Sequence, residues 1–239
     1  KVPSYTFYLE IFTTLGLKFK PLKSDTCKTC DLLRVKINAT SSEDLKNKLT
    51  EELKIHQALG ESLQNEMKSD MERAKNDNSI QVVVYDLQKV LIIPKAPSSL
   101  LYYTRNFNIY NLNIHENNNG NFYVWTEIEA SRGSREIASC IIKHFNAHLK
   151  EDTAEIILWS DSCSGQNRNH IVACILLHFL HKNATKYPNL KKITLKFLKS
   201  GHTFNICDTD FGTLEKAFRR QQIICTLDQY LDIMRHCKL

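Results

Sequence analysis

Between residues 41 and 78 the apolar positions follow a helical rhythm. Leu45, Leu49, Leu53, Leu59, Leu63 and Met67 recur near helical spacing, Ser41 and Ser42 are available as caps, and Asn76-Asp77-Asn78 reads as a stop. So charged a helix with a one-sided apolar stripe must rest on something. The available supports are the first 40 residues, where aromatic-rich SYTFYLEIF, a break at Gly16 and KFKPLKSDTCKTCD follow one another, or the sheet that comes next. Residues 1–78 therefore read as an accessory layer, and 79–239 as the core with a C-terminal helix.

From Ile80 the rhythm shortens to that of strands. Ile80–Leu87 predicts a first strand, followed by a loop with Pro94 and Pro97. Asn106–His115 and Asn121–Glu129 predict a second and third strand, joined as a hairpin through Asn117-Asn118-Asn119-Gly120. The pattern then predicts a helix over 134–149, a buried strand over 155–162, a helix over 166–182 and a strand over 192–198. After Gly201-His202 a helix starts near Asp208, and a last one covers roughly 227–237. Residues 80–220 thus read β-β-β-α-β-α-β-α, a mixed sheet that begins antiparallel and whose later strands run parallel to the first.

Two of the strands end on an acid. IQVVVYDL closes on Asp86, and EIILWSDSC carries Asp161 at its end. If the fourth strand pairs with the first, these carboxylates stand side by side, as oxygen ligands for a divalent cation must.

Composition narrows the class without deciding it. The 239 residues are 42% hydrophobic, ample for a core, and no stretch approaches the roughly 20 apolar residues of a membrane span. The chain opens on Lys1 with no apolar leader, which reads as a fragment of a longer intracellular protein. On that footing the 8 cysteines are reduced thiols, and the sequons at Asn38 and Asn183 are chance matches. A formal charge of +6, scattered along the chain, suits a polyanionic partner as well as it suits a plain solvated surface.

The element order, with acids ending strands one and four, resembles the ribonuclease H-like fold, which includes ribonucleases H, retroviral integrases, Holliday-junction resolvases and cut-and-paste transposases. More closely, the motifs CKTCD, YDLQKVL, YNLNIHE, RGSREIASC, WSDSCSGQNRN and GHTFNICDTDFGTLEK resemble a transposon-derived domain family of insects and other invertebrates. The resemblance implies a five-stranded ribonuclease H-like α/β sheet with an N-terminal helical accessory layer. It implies catalytic acids at Asp86, Asp161 and Asp208, with Asp210 and Glu215 as alternatives for the third. Glu136 stands where ribonucleases H carry a further acid in the first helix. Two Mg²⁺ or Mn²⁺ ions on Asp86, Asp161 and Asp208 would serve a nuclease or strand transferase acting on DNA phosphodiesters. DNA is then the partner, the nucleus the location, and a homo-oligomer is within scope. The rival reading is a domesticated, catalytically inactive module that binds nucleic acid or protein.

Other residues carry weaker signals. Gln166, Asn167 and Arg168, after Ser164-Gly165, put amides, backbone N–H groups and one cation at a helix start beside Asp161, suited to a phosphate or equally to a polar cap. His202 is a candidate phosphate or water contact, or a structural histidine. Arg132 and Arg135 could touch a nucleic-acid backbone or pair with acids. Cys27 and Cys30 have the spacing of a zinc half-site, with His56 as the best further Zn²⁺ ligand; otherwise they are packed thiols. Phe107, Tyr110, Tyr123 and Trp125 alternate on the hairpin, where aromatics fill a sheet core more often than they stack on bases.

Overall fold

β1 (Ile80–Leu87) is buried along most of its length because the chain covers both of its faces. The computed structural model describes residues 4–17, 26–98, 101 and 103–237. Three helices come first: α1 (Tyr5–Thr14), α2 (Lys28–Ala39) and α3 (Glu43–Asn76). After β1 come β2 (Leu91–Ile93), β3 (Phe107–Glu116), β4 (Asn119–Thr126), α4 (Ser134–His148), β5 (Glu155–Ser160), α5 (His170–Lys182), β6 (Lys192–Phe197), α6 (Ile206–Arg220) and α7 (Leu227–Arg235).

The sheet is mixed and has six strands. β1 pairs in parallel with β5, and β5 with β6; β3 runs antiparallel to β1 on the other side, and β4 pairs with the outer edge of β3. The sixth strand, β2, is too short for any periodicity to reveal it. After Leu87 the chain stays on the same edge of β3, where Leu91 pairs with Ile109 and Ile93 with Phe107. Pro94 then ends the pairing, as a residue without an N–H must.

Period-two alternation divides the core. Val83 and Tyr85 of β1, Leu112 and Ile114 of β3, and Ile156 and Leu158 of β5 pack under Ile137, Ile141 and Phe145 of α4 and Val172 and Leu176 of α5. Val82, Val84, Ile157 and Trp159 face the opposite way, onto Met67 of α3 and Cys207 and Phe211 of α6. Along the same face Ile109 meets Leu214, Phe218, Tyr230 and Met234 of α6 and α7. α3 is fastened there by polar contacts too. Trp159 Nε1 donates to Asp70 Oδ2 at 3.0 Å, and Lys196 Nζ reaches Asp70 at 2.7 Å and Glu66 at 2.6 Å.

Several boundaries differ from the sequence reading, each for a local reason. The hairpin turn uses Asn117 and Asn118, at φ 50° and 65°, the left-handed pair that suits a two-residue connection, so Gly120 belongs to β4. β4 stops at Thr126 because the Glu129 carboxylate takes the Thr126 N–H and hydroxyl at 2.7 and 2.9 Å. α5 starts at His170, not 166, because Asn169 caps it by accepting from Ile171 and Val172 N–H at 3.0 and 3.2 Å. α1 and α2 occupy segments in which the sequence signalled no helix, and α1 buries none of its residues. The hairpin aromatics fill the core: Tyr110 faces Trp125 across the ladder with rings 5.7 Å apart, and Tyr123 and Phe107 pack on the two apolar clusters. Among the described residues, no helix is long and apolar enough to cross a membrane.

Candidate metal and nucleic-acid site

The parallel ladder fixes the two strand-end acids. The ladder runs as far as the Val84 and Trp159 pair, and Asp86 and Asp161 each follow two residues beyond it, near enough for the Asp161 charge to act on Asp86. Asp86 shares the alternation of Val82 and Val84, and therefore turns toward the α3 and α6 side.

α6 brings the third acid to that side. Asn205 caps the helix, accepting from Cys207 N–H at 2.8 Å, while its own N–H donates to Asp208 Oδ2 at 2.9 Å. This reciprocal box fixes Asp208 in the first turn of α6. The electrostatic result is read at Asp86. Burial, then the charges of Asp208 and Asp161, push its carboxyl up to about 7, against the opposing pull of hydrogen bonds from Leu87 N–H and Asn205.

Asp161 is held from the loop that follows it. Its Oδ1 accepts from Cys163 N–H at 3.0 Å and from Asn167 Nδ2 at 2.6 Å. The loop backbone does not present the open row of donors that the sequence suggested: the N–H groups of Gln166, Asn167 and Arg168 all turn back onto Cys163 O, at 3.2, 2.8 and 3.0 Å. Arg168 stays exposed, with its guanidinium 5.7 Å from the Phe197 ring centre. Gln166 is half-buried, and Asn167 is a buried support of Asp161 rather than a surface contact.

Other candidates lie elsewhere. Glu136 sits on α4, across the sheet from the side Asp86 faces, and accepts from the Ser131 hydroxyl at 2.8 Å. The Ser131 hydroxyl and nearby backbone N–H groups outweigh partial burial and lower its carboxyl's pKa. Arg132 and Arg135 beside it are exposed. Asp210 is buried against β3, where its Oδ2 takes Asn113 Nδ2 at 2.6 Å and His115 Nδ1 at 2.8 Å. Glu215 pairs with Arg219 at 3.2 Å on the surface of α6.

His202 belongs to a different group. Among the described residues, one set of three or more His, Cys, Asp or Glu side chains brings its ligand atoms all within 4.8 Å of one another, and it is Cys27, Cys30, His56 and His202. As a trio, Asp86, Asp161 and Asp208 are spaced more widely than that. Cys27 Sγ lies 3.2 Å from His56 Nε2, and Cys30 Sγ 3.4 Å from His202 Nε2. A groove of about 910 Å³ runs from this set along α3, past Gln64 and Lys68, to Asp208.

Residues 106–238, more than half of the chain, match the family described as Domain of unknown function (DUF7869). The chain belongs to this family. No curated protein matches it. Among solved structures, it is similar to the Mos1 transposase paired-end complex with left transposon end, at 10% identity and a TM-score of 0.35, over 98% of this chain and 84% of that one. So loose a superposition says nothing about individual residues.

The DUF7869 match takes in Asp161, Asn167, Asn205 and Asp208. It starts after β1, so Asp86 lies outside it although β1 is the central neighbour of β3 and β5. Cys27, Cys30 and His56 lie outside it too, while their partner His202 lies within. Sequence reasoning missed Asn205, although Asn205-Ile-Cys-Asp208 has the spacing of a capping box and could have been found on that ground. It also missed His202 as a companion of the cysteine pair. A separation of 172 positions between Cys30 and His202 leaves no local signal.

Proposed function

We propose that this chain is a ribonuclease H-like, transposase-related core that cleaves or joins DNA phosphodiesters with divalent cations held by Asp86, Asp161 and Asp208. The observation that supports the reading is the upward push that the charges of Asp208 and Asp161 add to burial at the Asp86 carboxyl, with β1 and β5 paired in parallel up to two residues before the two acids. An acid raised to about 7 by burial and then by neighbouring acids is a group whose charged form gains from a nearby cation. The donor set is all oxygen, which suits a hard ion. The chemistry Mg²⁺ or Mn²⁺ would supply here is neutralisation of charge on a phosphodiester and activation of the attacking water or hydroxyl.

The protein's own part is positioning. Asn167 and the Cys163 N–H hold Asp161, Asn205 holds Asp208 and faces Asp86, and Asp86 releases its proton as the site gathers positive charge. Arg168, at the mouth of the Asp161 loop, offers a cation to a phosphate oxygen and stacks by Phe197. Glu136 is left out of the reading because α4 carries it to the other side of the sheet.

The test is Asp161→Asn on the full chain, assayed for Mn²⁺-dependent DNA cleavage or strand transfer. Asn keeps the side chain's size and removes a charge, so activity should vanish while thermal stability holds or rises. An activity that survives the substitution unchanged would belong to another site and overturn the proposal.

A further inference from the structure

We infer that Cys27, Cys30, His56 and His202 bind one structural Zn²⁺, and that this ion ties the loop leading to Asp208 onto α3. The first half stands on the four side chains alone; the second rests on the acid site proposed above.

Two thiols and two imidazoles are the donor types of closed, four-coordinate zinc sites. A tetrahedral Zn²⁺, with bonds of about 2.3 Å to sulfur and 2.0–2.1 Å to nitrogen, spaces its ligand atoms by roughly 3.4–3.8 Å. All four ligand atoms lie within 4.8 Å of one another, and the two sulfur–nitrogen pairs are at 3.2 and 3.4 Å. Those two pairs are within a few tenths of an ångström of the tetrahedral spacing, and shifts of at most about 1 Å in the others would complete the geometry. With four protein ligands no position is left for a substrate, so the role is structural.

The surrounding backbone is built for this approach. Gly201 has φ +81°, and a Cβ there would stand 2.5 Å from Cys27 Sγ and 3.1 Å from Cys27 Cα. A Cβ on Gly60 would stand 2.9 Å from His202 Cγ. Only glycine at these two positions lets the α2 start, the middle of α3 and the loop after β6 come together. Gln64 reinforces the junction, donating to the carbonyls of His202 and Phe204 at 3.1 and 2.7 Å.

The same loop runs on directly into Asn205 and Asp208. Fixing His202 fixes the approach of the α6 cap, and so the place of the third acid. His202 is thus a metal ligand and, through the loop, a positioning residue for Asp208.

The experiment measures metal by mass spectrometry on the full chain, expressed with zinc and purified without chelator. About one equivalent of zinc is expected, as structural sites hold their ion through purification. Cys30→Ser and His202→Asn should each lose most of it, whereas His202→Cys should keep it and, with Co²⁺ in place of Zn²⁺, show a stronger thiolate charge-transfer band. Asp161→Asn should retain the full equivalent, so failure of the acid site and failure of the zinc site are told apart. If Cys30→Ser does not fold, chelator removal from the wild type should lower its Tm, and Zn²⁺ but not Mg²⁺ should restore it. A folded wild-type chain carrying little zinc, zinc retained by both Cys30→Ser and His202→Asn, or a Tm indifferent to complete removal of the ion would overturn the inference.

Discussion

Asn167 donates its side-chain amide to Asp161 Oδ1 at 2.6 Å from a position only 1% exposed, so the acid's orientation is set from beneath. Asn167→Ala should leave Asp161 held by the Cys163 N–H alone. Outer partners of metal-ligating groups typically change affinity or activity about 10–100-fold, and a loss in that range is expected here for Mn²⁺ affinity by titration. Unchanged Mn²⁺ affinity would show that Asp161 needs no such support.

Asp86 makes stability depend on pH in a particular direction. Its carboxyl titrates near 7 in the fold, against about 3.9 in an unfolded chain. Between those values the folded state holds a proton that the unfolded state has released, so this contribution is full below about 4 and is lost as pH rises through about 7. Without divalent ions the wild-type Tm should therefore fall from pH 5 to pH 8 more than that of Asp86→Asn. At pH 8 Asp86→Asn should be the more stable by on the order of 1–2 kcal/mol, about 2–8 °C. Parallel Tm profiles for the two proteins would count against the raised carboxyl.

Asp208 and Asp210 should separate cleanly in mutagenesis. Asp210→Ala strands the buried Asn113 amide and His115 ring, and should cost about 2–4 kcal/mol by denaturant unfolding. Asp208→Asn keeps a side chain of the same size in the capping box and removes a charge from beside Asp86, so its cost should be within about 1 kcal/mol while DNA cleavage is lost. The opposite pattern would make Asp210 the third acid.

Gly201→Ala combines a disfavoured φ with a Cβ forced against the Cys27 backbone. A loss of about 1–3 kcal/mol is expected by thermal unfolding, with zinc retained less firmly against a chelator. Gly165→Ala, where a Cβ meets nothing within 4 Å, is the neutral control.

The central strands and α3 were legible because each carries a period long enough to read: apolar runs in Ile80–Leu87 and Glu155–Ser160, and leucines at helical spacing along α3. The two strand-end acids were legible for the same reason, since they end those runs. β2 was not, because three residues make no pattern and its pairing depends on Ile109 and Phe107 far along the chain. Glu136 was misjudged because element order fixes where α4 lies in the chain but not which face its first turn presents. His202 was not joined to the cysteine pair in the sequence because Cys30 and His56 become its neighbours only when α2 and α3 fold back onto the loop after β6. Asn167 was seen as surface chemistry because its amide resembles a phosphate contact until Asp161 is found above it.

In the proposed site Asp86 and Asp161 depend on the parallel pairing of β1 with β5, so the site is insensitive to the length of chain that separates them. The β3–β4 hairpin, the segment between β2 and β3 and the α4 connection can each grow or shrink without moving either carboxylate, so long as both strands pair as before. One residue gained or lost inside β1 is another matter. It would turn Asp86 over to the side of Ile137 and Phe145, erasing the acid pair while leaving every acidic residue in the sequence. Among relatives, length changes should therefore collect in those connections and be missing from the two strands, a constraint on indels that no comparison of the acids alone would reveal.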